Sequence, residues 1–212
     1  ERVGLNEGDL VLFCADQKKV VYDSLGNLRK EIARRRGLLD DSEYRFVWVT
    51  DFPLFEYSET EKSYTSSHHP FTMPDTDDLE KYADDTPEKI RSRAYDVVLN
   101  GVEIGGGSIR IHREDIQNKV FRLLNLTEAE IESKFGFLMK ALSYGAPPHG
   151  GIALGFDRMM MFLLKTNSIR DVIAFPKTQK AGCLMTDAPS AVETDQLDEL
   201  HVRVKASAQQ TE

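Results

Sequence analysis

The sequence predicts an α/β chain of the α+β type, a mostly antiparallel sheet flanked by helices. Three stretches carry that expectation. Asn100-Gly101 stands between two apolar runs, and because both residues tolerate positive φ, this pair is the strongest short hairpin signal. Residues 151–155 form a short apolar strand bounded by glycines that runs straight into a helical pattern. Thr127-Glu-Ala-Glu130 has the spacing of a capping box, in which hydroxyl and carboxylate satisfy each other's backbone donors at a helix start.

The composition sets outer bounds. Apolar residues make up 41% of the chain, enough for a core, and no run approaches the roughly 20 apolar residues of a membrane helix. A formal net charge of -8 excludes a binder that holds nucleic acid by bulk electrostatics; if the protein handles nucleic acid, most phosphate contacts lie outside this stretch. Cys14 and Cys183 fit neither a metal spacing nor a disulfide framework, which suits a reducing, cytoplasmic setting. The first residue is Glu1 and no secretory signal is visible, so the sequence reads as cut from something longer.

The elements follow in order. Residues 10–15 are a short strand candidate. Residues 23–36 read as a helix with Leu25, Leu28 and Ile32 on one face and Gly37 as its stop, its basic end solvated and favourable to the helix dipole. Residues 46–50 are a strand that Pro53 ends. Residues 56–67 are polar and read as a mobile loop, and 70–87, with three prolines and many acids, as another long loop. Strands at 94–99 and 102–112 flank the Asn-Gly turn. Helices are predicted at 114–124 and from the capping box to about 143, where Gly145 and Pro147-Pro148 stop it. A helix at 157–165 follows the strand at 151–155, and the tail from about Glu193 is expected to fray. The hairpin strands and the 151–155 strand are expected to be central, with the 157–165 helix behind them.

The hairpin itself reads as a site. A two-residue loop pairs Leu99 with Val102, Val98 with Glu103 and Asp96 with Gly105, so Asp96 and Glu103 share a face. Two carboxylates on one face suit a hard divalent ion such as Mg²⁺, which keeps waters and substrate phosphates; two solvated acids on an exposed sheet are the alternative. Strict alternation sends Arg110 to the opposite face. A bulge within Gly105-Gly106-Gly107 would slip the alternation by one and return it. Glycine there also lets a ligand lie against the backbone, and an arginine can hold a carboxylate by two parallel bonds; a structural Arg110 paired with a neighbouring acid is the alternative.

Two further pieces stand out. His68-His69 are adjacent and point apart in extended chain, so they do not read as a metal-binding pair; one of them could hydrogen-bond a substrate carboxylate or phosphate, and a plain surface pair is the alternative. Arg158 lies in a helix's first turn, where the dipole disfavours a cation; the position makes sense if it reaches an anion such as a nucleotide phosphate.

These residues carry a family resemblance. "GIALGFDR" (Gly151 to Arg158) resembles the third signature motif of class II aminoacyl-tRNA synthetases. "YDVVLNGVEIGGGSIRIH", "WVTDFPLF", "HHPFTMP" and "IRDVIAFPKT" are similar to bacterial-type aspartyl-tRNA synthetase, in the right order and over nearly the whole chain. The resemblance implies the C-terminal part of a class II catalytic domain at 46–212, preceded at 1–45 by the end of the bacterial insertion domain and its return segment. It implies that L-aspartate and ATP give aspartyl-adenylate, and that the aspartyl group passes to tRNA(Asp), in a cytoplasmic homodimer using Mg²⁺. By resemblance, His68, His69 and Arg110 bind aspartate; Glu103, Gly155, Phe156, Asp157 and Arg158 bind ATP; Asp96 and Glu103 hold the metal. No residue is expected to act as nucleophile or general base. The family's first two motifs and its anticodon-binding barrel do not occur in the sequence, which implies an incomplete sheet and little activity for the chain alone. An asparagine-specific ligase of the same class and a non-catalytic synthetase-like binding module remain alternative readings.

Overall fold

A computed structural model describes residues 4–40 and 42–205. The central hairpin decides the architecture. β4 (Ala94–Leu99) and β5 (Val102–Ile109) pair antiparallel through Asn100 and Gly101, at φ 47° and 83°, the mirror-image conformation that matches strand twist in two-residue loops. β1 (Phe46–Val49) adds to the outer side of β4, and β6 (Gly150–Leu154) to the outer side of β5. The order is β1-β4-β5-β6, every pair antiparallel. The strand that carries Gly151 is thus at a margin of the sheet among the described residues, not at its centre as expected.

Several expectations about single segments are corrected. Residues 10–15 form no strand. No partner strand reaches them among the described residues, and Leu10 and Leu12 instead lie along Leu25, Leu28 and Ile32 of α1 (Lys18–Arg35). That helix starts earlier than predicted and stops at Gly37, where the Gly37 and Leu38 N–H groups donate back to Arg34 and Ala33. The polar stretch read as a loop folds into a second hairpin, β2 (Phe55–Ser58) with β3 (Ser63–Ser66). Phe55 is buried beneath it, and Tyr57 faces Tyr64 across the strands with ring centroids 5.4 Å apart, an aromatic pair that stabilises short hairpins.

The second expected loop holds α2 (Thr76–Tyr82), capped by the Asp75 carboxylate, and a 3-10 turn at Pro87–Lys89. Three of the acids that suggested a loop, Asp75, Asp77 and Asp78, are a cap and a first turn, where the helix dipole favours them. α3 (Glu114–Leu123) and α4 (Glu128–Ser143) fall where predicted, and both halves of the Thr127–Glu130 capping box are made. α5 (Phe156–Leu163) follows β6 directly. A short helix, α6 (Thr194–Glu199), replaces the start of the expected frayed tail; the tail beyond residue 205 lies outside the described residues.

The packed core lies beside the four-stranded sheet. Leu54, Phe55, Met73, Leu79, Ile90, Ile111, Ile116 and Val120 form one buried cluster that ties β2, α2 and α3 to the end of β5. By contrast, Phe46 and Trp48 on β1 and Ile152 and Leu154 on β6 are exposed. The marginal strands offer apolar side chains that nothing among the described residues covers, in line with the expected incomplete sheet.

Candidate functional site

The site grows from an irregularity in β5. Leu99 pairs with Val102 and Val98 with Glu103, but Val97 pairs with Gly105, so Ile104 is the extra residue. The predicted bulge exists, one residue ahead of the triple glycine, and it moves the partner of Asp96 from Gly105 to Gly106. Side chains alternate along a strand, so Gly106, Ser108 and Arg110 fall in phase with Asp96 and Glu103. The Asp96 carboxylate spreads over Gly106, where any Cβ would collide with its Oδ1. Gly107 faces the other way, and a Cβ there would strike the Gly151 backbone carbonyl.

Past Ile109 the two strands diverge, and residues 71–75 fill the gap. Met73 N–H donates to the Ile109 carbonyl, Arg93 N–H to that of Met73, and Ile111 N–H to that of Phe71. Thr72 forms an antiparallel bridge with Arg110. This wedge brings His69 to Arg110: a guanidinium nitrogen lies 3.3 Å from His69 Nδ1, which also accepts from the Phe71 N–H at 3.2 Å. Burial first, then the Arg110 charge, then His68, hold the His69 pKa below the ordinary histidine value. His69 is a neutral acceptor against a fixed cation. His68 takes another direction, as adjacent residues in extended chain do, and sets its ring edge-on to Phe52 at 4.9 Å.

The other end of the site is the β6–α5 junction. The Gly155 N–H donates 2.7 Å to the carbonyl of the bulge residue Ile104, which docks the start of α5 on the bulge. Arg158, in the first turn of that helix, donates to the Glu103 carbonyl at 2.7 Å and comes within 3.8 Å of its carboxylate. Phe156 and Asp157 are exposed on the same turn. The structure thus joins Arg158 to Glu103, and His69 to Arg110, along one face that also carries Asp96.

No group of three or more His, Cys, Asp or Glu side chains able to hold a metal ion by themselves occurs among the described residues. Asp96 and Glu103 nevertheless fit Mg²⁺ carried by a phosphate ligand, since that ion takes one or two protein carboxylates and completes its shell with water and phosphate oxygens. The bare Gly106 beneath Asp96 is the room such a carboxylate needs to reach an ion.

Sequence reasoning missed Gln117. It is wholly buried on α3, and its amide donates 2.8 Å to the Pro70 carbonyl beneath the histidine loop. Its signal was an amide on the face that buries Ile116, Val120 and Phe121.

A sheet face that brings carboxylates and guanidinium groups together is of the class suited to binding and orienting charged groups. The chain belongs to the class II tRNA synthetases of the aspartate, lysine and asparagine group: residues 14–179 match the family described as tRNA synthetases class II (D, K and N). It is 60% identical over 198 residues to the aspartate–tRNA(Asp/Asn) ligase of Desulfatibacillum aliphaticivorans, a match that covers 93% of this chain and 33% of that protein. It is 57% identical over 204 residues to the ligase of the same name from Halothermothrix orenii, covering 96% and 34%. The chain spans about a third of the length of these curated relatives. Among solved structures it is similar to the aspartyl tRNA synthetase of Entamoeba histolytica, with a TM-score of 0.47 and 23% identity over 82% of this chain and 29% of that one.

Proposed function

We propose that this chain carries the aspartate- and ATP-binding part of an aspartate–tRNA ligase. The observation that carries the reading is the shared face of Asp96, Glu103 and Arg110, created by the Ile104 bulge, in a chain of this family. The reaction has two steps. The α-carboxylate of L-aspartate attacks the α-phosphorus of ATP, the bond to pyrophosphate breaks, and aspartyl-adenylate forms. A hydroxyl of the terminal adenosine of tRNA then attacks the activated carbonyl and AMP leaves.

Neither step requires a nucleophile from the protein. Its residues position and neutralise. Arg110, steadied by the neutral His69, suits the side-chain carboxylate of aspartate, and His68, whose ring lies against Phe52, is the second histidine proposed for aspartate. Arg158 and the Gly155-Phe156-Asp157 turn face the nucleotide, where a guanidinium offsets charge on the phosphates. Asp96 and Glu103 would hold Mg²⁺, whose chemistry there is to draw off charge from the phosphate oxygens. Held in place, the reactants escape much of the entropic cost of meeting.

The relatives' names cover both tRNA(Asp) and tRNA(Asn) as acceptors. The expected parent is a cytoplasmic homodimer, and no helix among the described residues is long and apolar enough to cross a membrane. Pyrophosphate exchange tests the proposal. A full-length ligase containing this sequence should exchange with aspartate and hardly at all with asparagine, and Arg110→Leu should weaken aspartate use far more than ATP use. Equal exchange with both amino acids, or equal loss of both substrates in the variant, would overturn it. The chain alone should show at most residual exchange.

A further inference from the structure

Gln117 has no need to be polar for the sake of the core. It sits in the first half of α3 with no exposed surface, beside Ile116 and facing the same interior as Val120 and Phe121. Its Oε1 is buried without a hydrogen-bond partner among the described residues, which costs stability. For packing alone, a methionine of similar length would serve. What the amide does is donate 2.8 Å to the carbonyl of Pro70. Pro70 sits in the bend that turns His69 back over the wedge: Thr72 N–H donates to the His69 carbonyl at 3.2 Å, and the Phe71 ring packs against Phe121 and Phe135. Arg110 and Gln117 leave the same strand-to-helix turn, one at its start and the other a turn into the helix. The amide therefore fixes the histidine side of the pocket to the element that carries its arginine.

We infer that Gln117 is a positioning residue for amino-acid binding: by holding the Pro70 carbonyl it keeps His69 in register with Arg110. The inference rests on the proposed ligase reading, since the pocket it positions is the one assigned there to aspartate. Its signature is a selective loss. Displacement of the His69 bend disturbs the carboxylate end of the site and leaves the Glu103–Arg158 end untouched.

The test has two arms. In the full-length ligase, Gln117→Met should raise the KM for aspartate in pyrophosphate exchange by about tenfold to a hundredfold, the scale of an ångström's misplacement, with the KM for ATP and the Tm nearly unchanged. Gln117→Glu should restore most of the loss at pH 6, because a buried carboxyl stays protonated and can donate to the same carbonyl. In this chain alone, the His69 ring followed by NMR should titrate higher in Gln117→Met than in the native chain, as the ring loosens from its buried place beside Arg110. An unshifted His69 together with an unchanged KM for aspartate would overturn the inference, as would equal loss of both substrates in step with a fall in Tm. If the native ligase shows no aspartate-dependent exchange, the functional reading fails, and the His69 titration still decides the part played by Gln117.

Discussion

Arg110 stands with a guanidinium nitrogen 3.3 Å from Nδ1 of His69, so the cation and an uncharged imidazole share one hydrogen bond. Burial and Arg110 both push the His69 pKa below its ordinary value near 6.5. As pH falls, the unfolded chain takes up this proton before the folded one does. Stability therefore drops as pH falls below the ordinary histidine range, and the loss ends once the folded value is passed. Arg110→Leu removes the second cause and leaves the first. The His69 midpoint should rise without reaching the ordinary value, and the acid-side loss of stability should shrink. NMR titration of the ring checks this; an unmoved midpoint would contradict the contact.

The adjacent glycines Gly106 and Gly107 should respond differently to the same added methyl group. At Gly107 the new Cβ meets backbone, the Gly151 carbonyl of the paired strand, which cannot step aside. Gly107→Ala should cost about 1–3 kcal/mol in chemical denaturation, the usual scale of overpacking. At Gly106 it meets the Asp96 carboxylate, which can rotate away at about 0.5–1.5 kcal/mol. Gly106→Ala should thus stay folded yet lose affinity for ATP with Mg²⁺.

Asn100 does more than turn the chain. Its side chain accepts from the Arg45 N–H at 2.8 Å and donates to the Glu43 carbonyl at 2.8 Å, tying the entry of β1 to the hairpin tip. Asn100→Ala forces a Cβ without a polar anchor into positive φ and should destabilise by about 1–2 kcal/mol. Asn100→Gly keeps the turn and should lose only the part due to the hydrogen bonds. Urea denaturation of the two variants separates the contributions.

Glu103→Ala should weaken ATP binding in the presence of Mg²⁺ by about tenfold or more, the worth of one charge-assisted contact. Arg158 keeps its 2.7 Å bond to the backbone carbonyl of residue 103, which the substitution leaves in place. The loss then reports the carboxylate and not a displaced arginine. Calorimetry reads it directly, and undiminished heat would remove Glu103 from the nucleotide end.

Much of this was legible in the sequence wherever a local rule governs. The Asn-Gly turn, the capping box and the need for a slip between Glu103 and Arg110 follow from backbone chemistry over a few residues. The site of the slip did not, because three glycines look more yielding than Ile104, whereas the carbonyl of Ile104 is the one that Gly155 requires from a distant strand. The β2–β3 hairpin was obscured by its polar composition, since its stability comes from Phe55 beneath it and from Tyr57 against Tyr64. The Gln117–Pro70 bond and the approach of Arg158 to Glu103 span 47 and 55 positions, and no spacing rule reaches so far.

Ile104 turns a strand into a device that counts. With it as the unpaired extra residue, Gly106, Ser108 and Arg110 share the face of Asp96 and Glu103; were Ile104 instead drawn into the ladder as a paired residue, they would present their backs, and the guanidinium would leave the carboxylates without any change in its own identity. In the regular stretch between Gly105 and Arg110, a gain or loss of one position would invert that phase, and of two would keep it. Along this stretch, odd and even matter more than the volume of whichever side chain is added or removed.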